Sequence, residues 1–138
     1  MDEKTISSLI EQALSARKNS YAPYSHFKVG AALLDSKGNV YTGVNVENVS
    51  YPAGICAERT AISKAISEGA SGFTAIAVAG GSDSCTDSVN SYCTPCGFCR
   101  QVLCEHCSGD LIVIIARSPS DYRTYTLSEL LPCAFGII

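Results

Sequence analysis

Apolar positions along the chain follow two periods, and the change from one to the other marks the elements. Ile6, Leu9, Ile10, Ala13 and Leu14 recur at three- and four-residue spacing, which predicts an amphipathic helix over roughly residues 3–18. Tyr21-Ala22-Pro23-Tyr24 breaks that pattern. Phe27 to Leu34 and Val40 to Val46 are strand-like runs, and the short link Ser36-Lys37-Gly38-Asn39 makes them an antiparallel hairpin. Helical spacing returns between about Cys56 and Glu68, with Ala57, Ala61, Ile62, Ala65 and Ile66 on one face and Gly69 at the position of a C-terminal cap. Phe73 to Ala79 predicts a third strand, and Gly81 to Ser91, rich in Ser, Asp and Gly, a loop. Thr94-Pro95 predicts an N-cap followed by proline at the first helical position of a helix ending near His106. Leu111 to Ala116 and Tyr122 to Thr126 predict two more strands, antiparallel across a short link, and Leu127 to Leu131 a helical turn.

A helix separates the third strand from the fourth, so those two are expected to be parallel with a right-handed crossover. The whole pattern predicts an α/β fold: a three-layer α/β/α sandwich around a mixed five-stranded sheet. With 138 residues and no composition shift, repeat or low-complexity tract, residues 1–138 are expected to form one domain. Hydrophobic residues make up 46%, enough for a packed core rather than a disordered chain. A formal net charge of -3 argues against a nucleic-acid partner, which selects for a basic face, but leaves a small neutral substrate open. No apolar run is long enough to span a bilayer, so no membrane partner is expected. The start, Met1-Asp2-Glu3-Lys4, lacks the basic-then-apolar layout of a signal peptide, and a cytoplasmic location is expected. In that compartment eight cysteines call for a role other than disulfides, and metal binding leads.

Two clusters carry the candidate chemistry: Cys56-Ala57-Glu58-Arg59 and Pro95-Cys96-Gly97-Phe98-Cys99-Arg100, both at predicted helix starts. Unpaired amides and the helix dipole there favour a thiolate, the form that binds zinc. Cys56, Cys96 and Cys99 would give one Zn²⁺ three protein ligands and an open fourth position, the arrangement of a catalytic rather than a structural site. Glu58, two residues from the first ligand, is a carboxylate able to carry a proton without binding metal. Positions i and i+2 of a regular helix point apart, so this pairing requires Cys56 at the very first turn. Three thiolates leave the site negative, and Arg59 is placed to donate hydrogen bonds to them. The alternative is a closed site of Cys96, Cys99, Cys104 and Cys107, which one continuous helix opposes because the four cannot share a face. Cys104, Cys107 and Cys133 read instead as buried apolar residues. Cys85 and Cys93 fall in the loop without an assigned role, Cys93 close enough to be an adventitious ligand.

These residues resemble the small cytidine deaminases. Beyond C-A-E and P-C-x-x-C, the likeness runs through Ala22 to Leu34, Gly43 to Pro52, Cys56 to Ile62, Pro95 to Gln101, and Leu130-Leu131-Pro132 with Phe135. It implies one Zn²⁺ per subunit held by Cys56, Cys96 and Cys99, with Glu58 as proton carrier. Asn45 and Glu47 would bind the ribose hydroxyls, Phe27 and Ala57 would meet the nucleoside, and Tyr51 and Phe135 would reach a neighbouring subunit's site in a homotetramer. The implied reaction is hydrolytic deamination of cytidine and 2′-deoxycytidine in pyrimidine salvage, with release of ammonia. Read from the residues alone, Asn45 and Glu47 alternate on a strand end and suit a hydroxyl-rich ligand, while Phe27 and Phe135 read as core. The chain departs from the family pattern at Phe98, where a small residue is usual, at a longer 81–92 loop, and at Cys133, where glycine is common. Rival readings are a deaminase of blasticidin-type nucleosides, against which Glu47 speaks, a polynucleotide deaminase, against which the charge speaks, and a structural zinc module without activity.

Overall fold

The computed structural model describes residues 1–136. Helix α1 (Glu3–Arg17) leads into the hairpin β1 (Phe27–Asp35) and β2 (Val40–Val44). A 3₁₀ turn (Tyr51–Ala53) precedes α2 (Ala57–Ser67), and then come β3 (Phe73–Ser82), α3 (Gly97–His106), β4 (Ile112–Ser118), β5 (Asp121–Thr126) and the short α4 (Leu127–Leu130). The five strands form one sheet in the order β2-β1-β3-β4-β5. Only β3 and β4 run parallel, joined by the α3 crossover, while the other neighbours are antiparallel. This is the mixed sheet expected from the sequence.

Helices cover both faces. Against one face Ile6, Leu9, Ile10, Ala13 and Leu14 of α1 pack on Ala32, Ala75, Ala77, Ala79 and Ile114. Against the other, Ala57, Ala61, Ile62 and Ala65 of α2 and Leu103 of α3 pack on Ala31, Leu33, Ile76, Val78, Val113 and Ile115. Small residues let the helices approach closely. A Cβ on Gly43 would come 2.4 Å from both the Ala57 carbonyl and the Ala61 amide, so α2 lies directly on the backbone of β2.

Several boundaries move from the sequence expectation. Strand β3 continues through Ser82, three residues beyond Ala79, because β1 pairs with it as far as Phe27–Ser82. Regular pairing of β2 stops at Val44, although Val46 still bridges Tyr21 and Ile55. Helix α3 starts at Gly97 with Cys96, not Thr94, as its N-cap; the Cys96 sulfur accepts the Cys99 amide, and Pro95 lies outside the helix. Ile66 is exposed rather than buried with Ala57, Ala61, Ile62 and Ala65. Cys133 is exposed at φ 52 rather than buried, and a left-handed backbone there is the conformation for which glycine is favoured. No helix among the described residues is long and apolar enough to cross a membrane.

Candidate active site

The two cysteine motifs meet because both helices that follow them begin on the same side of the sheet. Cys56 is the N-cap of α2 and Cys96 the N-cap of α3, each with extended backbone (φ -78, ψ 156 and φ -66, ψ 164). Cys56 therefore stands outside the helix, and its direction relative to Glu58 is not that of an i, i+2 helical pair. That removes the spacing objection raised by the sequence. Sγ of Cys56 lies 4.0 Å from Sγ of Cys96, which lies 3.4 Å from Sγ of Cys99. All three sulfurs fall within 4.8 Å of one another. Tetrahedral Zn²⁺ with Zn–S bonds of about 2.3 Å needs sulfur–sulfur separations of about 3.8 Å, so the cluster fits zinc. Cys104 and Cys107 are no part of it: they pack half-buried against the α2/α3 core.

Hydrogen bonding from Cys99 and then from Arg59 and Cys96 draws the Cys56 thiol down to about 5, while sharing the proton with Cys56 raises Cys99. Full ionisation of the set calls for a cation. Arg59 Nη2 donates to Cys56 Sγ at 3.8 Å, as the sequence suggested, and its guanidinium carbon sits 4.9 Å from the Phe98 ring centroid. Phe98 projects outward, 70% exposed, so the bulky residue between Cys96 and Cys99 leaves the ligand cluster clear. Glu58 is only 4% exposed, and burial raises its carboxyl to about 7. A buried acid raised toward neutrality beside three metal-compatible sulfurs is suited to taking and returning a proton.

A cavity of about 390 Å³ opens beside the cluster, lined by Asn45, Glu47, Tyr51, Cys56, Ala57, Glu58 and Arg59, with Val29 and Cys93 as apolar wall. Asn45 and Glu47 reach it because residues 45–47 are held on two sides: the Glu47 amide donates to Tyr21 O, and Val46 exchanges two hydrogen bonds with Ile55. Asn45 is anchored by its own side chain, accepting the Val29 amide at 2.8 Å and donating to Phe27 O at 2.8 Å. The Ser25 hydroxyl, with the Ser25 and Tyr24 amides, holds the Glu47 carboxylate below its ordinary range, so it enters the cavity as an anion. Phe27 and Phe135 do not line the cavity of a single chain; both are exposed, Phe135 at 80%, so their reading as core is overturned. Tyr51 lines the rim and is 78% exposed.

Cys93, which the sequence left without an assigned role, and Arg17, which it passed over, both have a place in the structure, and Cys93 is not among the three clustered sulfurs. Cys93 forms part of the cavity wall, its thiol pushed up to about 12 by burial and thus neutral. Arg17 is buried at the end of α1, donating to the carbonyls of Lys28, Gly81, Ser82 and Cys85. Its signal was present in the spacing, since Arg17 follows Ile10, Ala13 and Leu14 on the apolar face, where a charge must be satisfied internally.

The geometry is matched by comparison with known proteins. A family model described as the cytidine and deoxycytidylate deaminase zinc-binding region matches residues 3–115. A cytidine deaminase from Halalkalibacterium halodurans is 46% identical over 127 residues, covering 92% of this chain and 91% of the relative. The crystal structure of a cytidine deaminase from Burkholderia pseudomallei superposes with TM-score 0.83 at 45% identity, covering 93% of this chain and 97% of that one. That from Mycobacterium tuberculosis superposes with TM-score 0.77 at 40% identity over 94% of this chain and 96% of that one. Three sulfurs at the heads of two helices, a buried acid beside them and a likeness over the length of the fold place this chain in the cytidine deaminase family.

Proposed function

We propose that the protein hydrolyses cytidine and 2′-deoxycytidine to uridine and 2′-deoxyuridine, releasing ammonia, with one Zn²⁺ per chain held by Cys56, Cys96 and Cys99. The observation that carries this reading is the juxtaposition of three zinc-compatible sulfurs with a buried Glu58 whose carboxyl is raised to about 7. Zinc, when bound, supplies the Lewis acidity that makes water nucleophilic at neutral pH. Glu58 carries both protons of the attacking water: one to N3 of the cytosine ring as the water oxygen bonds to C4, and the remaining one to the amine as the C4–N bond breaks and the C4 carbonyl forms. Its burial keeps bulk water from competing for the proton. Arg59 offsets part of the charge of three thiolates, preserving the acidity of the metal.

Asn45 and Glu47 bind the sugar hydroxyls at the far end of the cavity. Glu47, already ionised, accepts hydrogen bonds from them. The wall of Val29, Ala57 and Cys93 takes the base. Tyr51 and Phe135 act across a subunit boundary in a homotetramer, and Phe27, outside the single-chain cavity but bonded through its carbonyl to Asn45, is assigned to the nucleoside by the family resemblance. The Tyr51 and Phe135 rings are both exposed in one chain and so are free to meet a second copy. Such an enzyme serves pyrimidine salvage in the cytoplasm.

The test is loss of cytidine absorbance, followed with and without a zinc chelator, in the native protein and in Glu58→Gln. Turnover abolished by the chelator, restored by zinc, and reduced by ~10²–10⁴-fold in Glu58→Gln with zinc retained is the expected outcome. Near-normal deamination by Glu58→Gln would remove the assignment of the proton carrier. Zinc held tightly by a protein with no turnover would favour the structural-module reading.

A further inference from the structure

The path into the metal ligand Cys96 has no secondary structure of its own. Residues 92–96 belong to no helix or strand, and among the described residues no backbone–backbone hydrogen bond ties residues 92–95 to the rest of the chain. Yet this five-residue stretch must deliver a sulfur to within a few tenths of an ångström. Side chains do the holding. At the far end Arg100 donates from Nε to Pro95 O at 2.7 Å and from Nη1 to Leu130 O at 2.6 Å. Between the ends Cys93 sits over Gly80, where an added Cβ would meet its sulfur at 2.8 Å.

At the near end is Tyr92. Its hydroxyl donates to Asp121 Oδ1 at 2.5 Å, and Asp121 Oδ2 accepts from Arg117 Nε at 2.8 Å. The guanidiniums of Arg117 and Arg123 both lie over its ring, 4.8 and 4.1 Å from the centroid. The loop preceding it is tied to the same place, Val89 donating its amide to Arg117 O at 2.9 Å. A ring engaged by two cations and one carboxylate has little rotational freedom. The β4–β5 turn thus grips the last residue of the 81–92 loop, four residues before a zinc ligand.

We propose that Tyr92 is a positioning residue for the metal centre: clamped by Arg117, Asp121 and Arg123, it fixes the approach to Cys96 and so slows the loss of zinc. This rests on the zinc assignment made above. The clamp acts on the backbone leading to the ligand and does not touch the metal.

The experiment measures zinc transfer to a chromophoric chelator from the native protein, Tyr92→Phe, Tyr92→Ala and Ile6→Ala. Ile6 lies on α1 across the sheet, and its truncation serves as a control for general loss of stability. Tyr92→Phe keeps the ring and loses only the hydroxyl. The expected result is zinc loss ~10-fold faster in Tyr92→Ala, the size typical of groups that orient metal ligands, and a smaller increase in Tyr92→Phe. Ile6→Ala should release zinc at the native rate despite a lower Tm. The Co²⁺-substituted Tyr92 variants should also show altered ligand-field bands. Native zinc loss in Tyr92→Ala, or loss in Ile6→Ala as fast as in Tyr92→Ala, overturns the proposal, and if Tyr92→Ala does not fold, native loss in Tyr92→Phe does so alone. Native protein that holds no zinc at all overturns the metal reading itself, and the clamp's role with it.

Discussion

Arg59 shows how one side chain answers several demands at once. It donates to Cys56 Sγ, lies over the Phe98 ring, and keeps its Nε buried without a partner in the described structure. Removing its charge leaves three thiolates with less compensation, so Arg59→Gln should release zinc ~10-fold or more faster in a chelator competition while the fold persists. Phe98 supports the same guanidinium from the solvent side, and an exposed cation–π contact is worth about 0.5–1 kcal/mol. Phe98→Ala should therefore accelerate zinc loss by roughly two- to five-fold, with little effect on Tm. An unchanged release rate in Phe98→Ala would mean that Arg59 is held by other groups. The position of Phe98 was readable in the sequence as a departure from the family, but its outward direction was not. A bulky residue between two ligands is an obstruction or a support depending on which face of the helix it occupies.

At the scale of elements, the centre depends on how closely α2 rests on the hairpin. Gly43 of β2 leaves no room for a side chain beneath the Ala57 carbonyl and the Ala61 amide, each 2.4 Å from an ideal Cβ. Neither neighbour is a flexible tip that can move aside, since both belong to the backbone of the helix. Gly43→Ala should lift the start of α2 and cost about 1–3 kcal/mol, the usual penalty of overpacking. Because that start carries Cys56 and Glu58, the variant should lose metal retention and turnover together, readable as a lower Tm with and without zinc. A stable, fully active Gly43→Ala would show that the packing is looser than the contact distances imply. The helix and strand types were legible in the chain, because the periods are clean and the helix spacing at Ala57, Ala61 and Ala65 is strict. The start of α3 was not, because Thr94-Pro95 offers a plausible cap two residues early. The competing cap, the Cys96 sulfur accepting the Cys99 amide, is recognised only when the cluster is assembled.

For the molecule as a whole, the buried Glu58 links the site to global stability. Its carboxyl is raised from an ordinary 4.5 to about 7, so the folded state prefers it protonated and the unfolded state does not. For an acid shifted upward, no cost is present below the unfolded value, and stability is lost as pH rises through the window from 4.5 to about 7. In the zinc-free protein Glu58→Gln should consequently raise stability near pH 8 by up to about 3 kcal/mol and change it little near pH 4. Thermal melts of the two zinc-free proteins across that range provide the measurement, and a gain that is the same at both ends would exclude the carboxylate as its origin. This is the cost of keeping a proton carrier dry, and it runs opposite to the stabilisation that zinc binding brings.

By itself the sequence determined which elements form, the mixed sheet they build, and the identity of the metal-compatible sulfurs and their acid. Local periodicity and motif spacing encode all of these within a few residues of chain. Only the tertiary structure decided that Cys56 and Cys96 stand outside their helices as N-caps, that Phe98 and Phe135 face outward, that Arg17 bonds the carbonyls of Gly81 and Ser82, and that Tyr92 bonds Asp121. Those outcomes depend on where one element lands on another. Contacts between residues far apart in the chain, such as Arg17 with Gly81, leave no period from which to read them.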